Sequence, residues 1–137
     1  MKLKCKLDPD AIMPVRAHST DAGLDLFSTV DMDIPPDGAG YFDTGVHVQI
    51  PEGYVGMLTS KSGLMSMGLT SRGTIDCGYT GSIRVVLYNH RPDTFSIKKG
   101  EKISQLVILP IITPDLEIVA HLDDTERGTG GFGSTGR

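Results

Sequence analysis

The chain has 137 residues, including 17 Gly and 8 Pro, and carries a formal net charge of −4 at pH 7. This length is typical of one domain, and the frequent turn-forming residues favour a β-rich fold. The negative charge argues against a nucleic-acid-binding surface, which normally carries a basic patch. The longest apolar run, residues 106–112, contains Pro110 and is too short to span a membrane.

Two cysteines, Cys5 and Cys77, stand far apart and at no metal-ligand spacing. They predict free thiols in a reducing compartment. The N-terminus is charged and leads into Asp8 and Pro9, so it lacks the apolar segment of a signal peptide. The four histidines are scattered, with no pair at metal-ligand spacing, so the sequence does not predict a zinc site. We therefore expect a cytoplasmic protein that binds neither membranes nor nucleic acids.

Short segments with alternating apolar and polar residues recur about every ten residues, with Pro- and Gly-containing turns between them. This pattern predicts an all-β sandwich or jelly roll. The predicted strands cover residues 2–7, 24–27, 30–34, 45–50, 54–58, 82–89, 103–108 and 116–119, after which the globular part closes near residue 122.

The stretch 73–81 has the sequence GTIDCGYTG and precedes an alternating segment, 82–89. Two extended segments joined by a short Gly-containing loop predict a β-hairpin. Its mouth would hold the carboxylate of Asp76 and the ring of Tyr79, a plausible cradle for a flat polar ligand. Taken alone, such a stretch is more often an ordinary surface turn.

Residues 59–64, TSKSGL, place hydroxyls, a cation and a glycine where a short helix can begin. Such a segment can present donors to a phosphate, although the glycine spacing of a P-loop is missing. Gln105 interrupts an apolar strand and needs a polar partner. Asp25 also lies in a predicted strand, where a solvated carboxylate is the usual interpretation and a contact to a hydrated cation the less common one.

The C-terminal stretch 126–137 combines many glycines with one aromatic residue, Phe132, and with Arg and hydroxyl side chains. Most Gly- and Ser-rich termini are disordered. A mobile arm that folds over a ligand would use the same residues, because a ring can stack, Arg and hydroxyls can bind phosphate, and glycines let amides approach.

Taken together and in this order, five of these stretches resemble the five motifs of the trimeric deoxyuridine triphosphate nucleotidohydrolases (dUTPases). They are residues 22–26, 61–64, 73–81, 100–106 and 127–136. Two features depart from the family pattern. Lys61 stands where the family normally carries Arg, and the segment between Leu64 and Gly73 is shorter by a few residues, which leaves the contacts of residues 70–72 open.

The resemblance implies an all-β, jelly-roll-like β barrel of the dUTPase (β-clip) type with at most one short helix. Residues 1–122 would form this domain, and residues 123–137 a flexible C-terminal arm that closes over a neighbouring subunit's active site in a homotrimer. The implied reaction is the Mg²⁺-dependent hydrolysis of dUTP to dUMP and pyrophosphate, which limits uracil incorporation into DNA and supplies dUMP for thymidylate synthesis.

By the same resemblance, Asp76 orients and deprotonates the water that attacks the α-phosphorus, and Tyr79 packs under the deoxyribose. Asp25 would hold the magnesium through water. The remaining substrate-binding residues fall into three groups. Uracil would be read by Gly73, Thr74, Ile75 and Arg84; phosphates would be bound by Lys61, Ser62, Gly63 and Gln105; and the arm would contribute Arg127, Phe132, Gly133, Ser134 and Thr135.

Two alternatives stay open at this point. A dCTP deaminase shares the fold, although Asp76 and the complete arm speak against it. A binding protein of this family could instead use the nucleotide-gated arm to signal to a protein partner.

Overall fold

The computed structural model describes residues 1–136, which form eleven strands and one short helix. In chain order they are β1 (Lys4–Leu7), β2 (Gly23–Phe27), β3 (Met32–Ile34), β4 (Ala39–Asp43), β5 (Val46–Gln49), β6 (Tyr54–Thr59), α1 (Ser62–Ser66), β7 (Leu69–Thr70), β8 (Arg72–Ile75), β9 (Arg84–Asn89), β10 (Phe95–Ile97) and β11 (Lys102–Pro110).

The strands form four antiparallel sheets, in the orders β2-β11-β6-β8, β4-β9-β7, β1-β5 and β3-β10. Their inner faces enclose one apolar core that includes Leu26, Val85 and Leu106. The predicted all-β class with a single short helix is confirmed. Hydrogen bonding does not close the sheets into one continuous barrel within residues 1–136.

The predicted hairpin around Asp76 is wrong in its pairing. β8 pairs with β6, and β9 pairs with β4 and β7, so the two segments belong to different sheets. β8 completes the edge of the larger sheet, where Ile75 is buried, while β9 turns Val85 and Leu87 into the core. The Asp76 loop, which we define as residues 76–83, therefore links two sheets.

The strand predictions also missed three short strands, β4, β7 and β10, and included one that does not form. β4 was not predicted, because Gly40 breaks its apolar pattern. The glycine leaves room for Ile34, since a Cβ there would lie 2.9 Å from that side chain. The expected strand at residues 116–119 does not form. Leu116 and Ile118 are more than 90 % exposed, because no strand of the same chain covers them.

The C-terminal segment leaves the sheets after β11. The amide of Ile111 donates to the carbonyl of Gly53 at 2.9 Å, and every hydrogen bond that the structure describes for residues 112–136 stays within that segment. No helix of the described chain has both the length and the apolar character needed to cross a membrane.

Candidate active site

Three of the predicted site stretches meet in the larger sheet because of its register. Gln105 of β11 lies opposite Asp25 of β2 on one side and Thr59 of β6 on the other. Lys61 follows β6 by two residues and occupies the N-cap position of α1, where its side chain makes no capping hydrogen bond. This arrangement brings the Asp25 carboxylate, the Lys61 ammonium group and the Gln105 amide to one end of the sheet. Along the chain, the first and the last of these residues are 80 positions apart.

Asp25 is 2 % exposed, so it is not the solvated carboxylate that its sequence context favours. Lys61 Nζ lies 2.5 Å from Oδ1, and Lys102 Nζ lies 2.9 Å from Oδ2. Burial alone would raise the pKa of Asp25, but the hydrogen bonds and charges of the two lysines outweigh it and hold the pKa below its usual value. Asp25 is therefore ionised at neutral pH and fixes both ammonium groups.

A network of hydroxyl groups supports the turn that carries Lys61. The hydroxyls of Ser71 and Ser104 meet at 2.8 Å in the interior, and Ser104 Oγ donates to the carbonyl of Thr59 at 3.0 Å. Ser60 Oγ accepts the amide of Ser71 at 2.9 Å. Because each buried hydroxyl is paired, the network holds the end of β6 in one position.

Gln105 has the polar partner that its place in an apolar strand requires: Nε2 donates to the carbonyl of Ser60 at 3.2 Å. Gly23 makes room for this side chain, since a Cβ there would overlap the amide of Gln105. Ser62 and Gly63 are exposed at the first turn of α1, where backbone N–H groups have no partner within the helix.

The other half of the candidate site is a cavity of about 220 Å³ beside β8. Its lining includes side chains from β8, the Asp76 loop and β9: Thr74, Ile75, Asp76, Tyr79 and Arg84. Asp76 is exposed, and within residues 1–136 its carboxylate accepts no hydrogen bond. The carboxylate is thus available to a water molecule or a sugar hydroxyl.

Tyr79 is held in the wall of this cavity by the Asp76 loop itself. Its backbone N–H donates to the carbonyl of Asp76 at 3.0 Å, and its hydroxyl donates to the carbonyl of Ser82 at 2.8 Å. Gly81 permits this arrangement, because a Cβ at that position would lie within 3 Å of the tyrosine ring. The ring is therefore fixed in orientation while 44 % of Tyr79 remains exposed to a ligand.

The arm, residues 123–136, lies outside both halves of the site. The Phe132 side chain is fully exposed, and the guanidinium of Arg127 donates to Gly130 within the arm at 2.8 Å. Gly133, Ser134 and Thr135 are also exposed. Within one chain, no described hydrogen bond joins the predicted arm residues to Lys61 or Asp76.

The two halves of the site lie at opposite ends of β8. Thr59, next to the Lys61 turn, pairs with Arg72 at the start of β8, whereas Asp76 follows its last residue. Four residues of strand separate the ends by about 13 Å. Lys102, Ser71 and Ser104 were not singled out by sequence reasoning. Only the proximity of Lys102 and Ser104 to Gln105 in sequence could have indicated them.

The donor set fits a protein-bound magnesium poorly. Both oxygens of Asp25 are engaged by ammonium groups, and residues 1–136 contain no cluster of three or more His, Cys, Asp or Glu side chains able to hold a metal. Mg²⁺ needs accessible carboxylate or phosphate oxygens. Each oxygen of Asp25 already accepts a hydrogen bond from an ammonium group, so a contact to magnesium through water would compete with the two lysines.

The sequence matches the family model for dUTPase over residues 9–136. It is 44 % identical to a deoxyuridine 5'-triphosphate nucleotidohydrolase of Gloeothece citriformis, over 99 % of this chain and 97 % of that protein.

Two solved structures extend the comparison. A mutant dUTPase of Staphylococcus bacteriophage 80alpha with dUpNHpp aligns with a TM-score of 0.93 and 37 % identity, covering 99 % of each chain. A mutant dUTPase from phage phi11 of S. aureus, described with a structural Mg(II) ion, aligns with a TM-score of 0.82 and 36 % identity, covering 88 % of this chain and 98 % of that one. With a family match over nearly its whole length, the chain belongs to the dUTPase family.

Proposed function

We propose that this protein hydrolyses dUTP to dUMP and pyrophosphate. The observation that carries the proposal is the free carboxylate of Asp76 in the wall of a cavity that also contains Tyr79 and Arg84. A water molecule bound to Asp76 would lose its proton to the carboxylate as its oxygen attacks the α-phosphorus. The bond from that phosphorus to the bridging oxygen breaks, and pyrophosphate leaves.

The cavity accounts for selection of the base and the sugar. Thr74 and Ile75 belong to an edge strand, so their main-chain groups on the side away from β6 can pair with the edge of uracil. Cytosine would present its amino group to the wrong partner, and such a mismatch leaves buried polar groups unpaired. The ring of Tyr79 would pack under the deoxyribose and leave no room for a 2'-hydroxyl. Asp76 would also accept a hydrogen bond from the 3'-hydroxyl.

The Lys61 turn would bind the phosphates. Lys61 and Lys102 carry two positive charges against the single negative charge of Asp25. This cluster therefore has a net positive charge that would attract an anion. The exposed backbone N–H groups of Ser62 and Gly63 add neutral donors. The amide of Gln105 lies beside this turn and completes the phosphate contacts.

A homotrimer would bring these parts together. In one chain the cavity and the Lys61 turn lie at opposite ends of β8, and the described hydrogen bonds of the arm stay within the C-terminal segment. Residues 112–122 also leave Ile112, Leu116 and Ile118 exposed, an apolar row that a neighbouring subunit would cover. We infer that each site combines the cavity of one subunit with the Lys61 turn and the arm of others.

In the assembled site the arm would close over the nucleotide. Phe132 would cover the uracil ring, and Gly133 would let the backbone approach it. Arg127, Ser134 and Thr135 would clamp the γ-phosphate, since guanidinium and hydroxyl groups are strong phosphate donors. Closure would exclude bulk water from the reacting phosphate.

Magnesium would enter the site on the substrate. The phosphate oxygens of dUTP can supply the ligands that this chain does not offer, so the magnesium complex of dUTP is the proposed substrate. Asp25 as a magnesium residue stays a prediction that the two lysine contacts disfavour. We also infer a cytoplasmic location from the two exposed free thiols, Cys5 and Cys77.

A panel of nucleoside triphosphates tests the function. Purified protein with Mg²⁺ is expected to release pyrophosphate from dUTP and to leave dCTP, dTTP and UTP nearly untouched. Ammonia release from dCTP is measured in parallel, because a deaminase would produce ammonia. Pyrophosphate release from all four nucleotides at similar rates, or from none, would contradict the proposal.

A further inference from the structure

His47 of β5 joins the N-terminal segment to the Asp76 loop. Its Nδ1 lies 2.8 Å from the carbonyl oxygen of Thr80, and its Nε2 lies 3.0 Å from Oδ1 of Asp8. Both partners are acceptors only, and a neutral imidazole has a single N–H to donate. The two contacts can be satisfied together only by the protonated ring.

The surroundings of His47 carry charges of both signs. Asp8 follows β1, and Lys6 of β1 lies directly opposite His47 in the β1–β5 ladder. Asp43 at the end of β4 contributes a further carboxylate nearby. The Thr80 carbonyl and then the Asp8 carboxylate raise the pKa of His47, while partial burial and Lys6 oppose the rise.

The hydrogen bond between His47 and Thr80 attaches the loop that carries Asp76, the proposed base, and Tyr79, the ring proposed to pack under the sugar. Residues 82 and 83 attach the loop to this edge of the fold by five further hydrogen bonds. The hydroxyl of Ser82 donates to the carboxylate of Asp43 and accepts the amide of Gly45 at 3.0 Å, and the amide of Ile83 donates to the carbonyl of Val46 at 2.8 Å. The carbonyl of Ile83 accepts the amide and the hydroxyl of Thr44 at 3.1 and 2.7 Å. Among the described side chains that hold residues 76–83, the imidazole is the one whose charge changes near neutral pH.

We propose that His47 is a positioning residue for the reaction: its protonated ring fixes the Asp76 loop through Thr80, and loss of the proton loosens the loop and weakens the fit of the deoxyribose on Tyr79. The inference rests on the proposed function for its kinetic consequences. The bond itself is independent of that function. Substrate binding therefore weakens as pH rises through the pKa of His47, which lies above the ordinary value of about 6.5.

Three variants test the role by kinetics. His47→Gln removes the titrating charge and one of the two donated bonds, whereas His47→Arg keeps a permanent charge with several donors. His18→Gln is the matched control, because His18 also pairs with an aspartate, Asp21, but within its own turn. The KM for dUTP and the preference for dUTP over UTP are measured for each protein between pH 6 and pH 9.

At pH 6 His47→Gln is expected to raise KM at least about fivefold and to lower the preference for dUTP, the effect of one lost hydrogen bond to a charged group. Its KM should then change little between pH 6 and 8, relative to the wild type. His47→Arg should keep the low KM at alkaline pH, and His18→Gln should follow the wild type. A wild-type KM profile retained by His47→Gln would overturn the proposal.

An NMR titration of the wild-type protein separates this proposal from the proposed function and needs no variant to fold. The NMR signals of the His47 imidazole and of the Thr80 and Gly81 amides should shift with the same midpoint pH. That midpoint should lie above the midpoint for an exposed histidine. If dUTP is not hydrolysed but these signals titrate together, the function fails and the loop attachment stands. If dUTP is hydrolysed but the Thr80 and Gly81 amide signals do not shift as His47 titrates, the positioning role of His47 is wrong and the proposed function stands.

Discussion

Lys61 and Asp25, 36 residues apart in sequence, form an ion pair in which Nζ lies 2.5 Å from Oδ1. The pair joins the turn after β6 to the middle of β2, and Lys102 holds the second oxygen of the same carboxylate. Asp25 is buried and the two lysines are partly exposed, so the carboxylate fixes the positions of two ammonium groups at the protein surface. The first, second and fourth motifs therefore act as one structural unit.

Replacing Asp25 by Asn should destabilise the fold by about 2–4 kcal/mol, because two partly buried ammonium groups lose their counter-charge. The KM for dUTP should rise as the Lys61 turn loosens. Urea unfolding followed by circular dichroism and steady-state kinetics measure the two effects. Unchanged stability would show that the ion pairs contribute nothing to the fold.

The stability of the protein at acidic pH should depend on the same contacts of Asp25 with its lysines. The pKa of Asp25 is lower in the folded chain than in the unfolded one, so its contribution to stability is present above the unfolded pKa of about 3.9 and is lost as pH falls through the folded pKa. Between pH 5 and pH 3 the wild type should therefore lose more stability than Asp25→Asn. Parallel losses in the two proteins would contradict this, because the other carboxylates are common to both.

Lys61→Arg should be tolerated, since Arg keeps the charge and can reach Asp25 with a planar fork. Lys61→Ala should raise the KM for dUTP about tenfold, the loss of one charge-assisted bond to phosphate. Lys2→Ala, at an exposed lysine in front of β1, is the matched control. If Lys61→Ala leaves kcat and KM unchanged, the second motif does not line the site.

Much of this site could be predicted from local patterns. The alternation after Ser82 predicted which side of β9 is buried, and Gln105 revealed itself as a polar residue in an apolar strand. The pairing of β8 with β6 could not be predicted, because choice of partner strand depends on the sheet edge available and not on residues 72–75. The burial of Asp25 was missed for a similar reason, since its two lysines come from distant parts of the chain, the turn after β6 and the start of β11.

Tyr79 should decide between deoxyribose and ribose. Tyr79→Ala removes the ring beneath the sugar and should reduce the ratio of kcat/KM for dUTP to that for UTP by at least about tenfold. Tyr79→Phe keeps the ring and loses only the bond to the Ser82 carbonyl, so it should retain most of the discrimination. Equal discrimination by the Ala and Phe variants would rule out the ring as the sugar platform.

Asp76→Asn should abolish turnover while leaving dUTP binding largely intact, because the amide keeps the shape and loses the base. The exposed carboxylate, with no hydrogen bond accepted within residues 1–136, makes a large structural effect unexpected. Turnover and calorimetric binding of a non-hydrolysable dUTP analogue measure the two properties. A loss of affinity as large as the loss of rate would mean that Asp76 mainly binds the sugar.

Mixed assemblies test the shared site and the trimer together. No described hydrogen bond joins the arm to Asp76 or Lys61 of its own chain, and the segment from residue 112 onward can extend up to about 3.3 Å per residue to reach a neighbour. One inactive protein carries Asp76→Asn with an intact arm, and the other ends after Glu126 with Asp76 intact. Unfolded and refolded together, they should form trimers in which some sites pair a functional Asp76 with a functional arm, and dUTP hydrolysis should return to a substantial fraction of the wild-type rate.

Each protein refolded alone is the control, and native mass spectrometry establishes that mixed trimers are present. Mixed trimers as inactive as the separate variants would mean that the arm serves its own subunit.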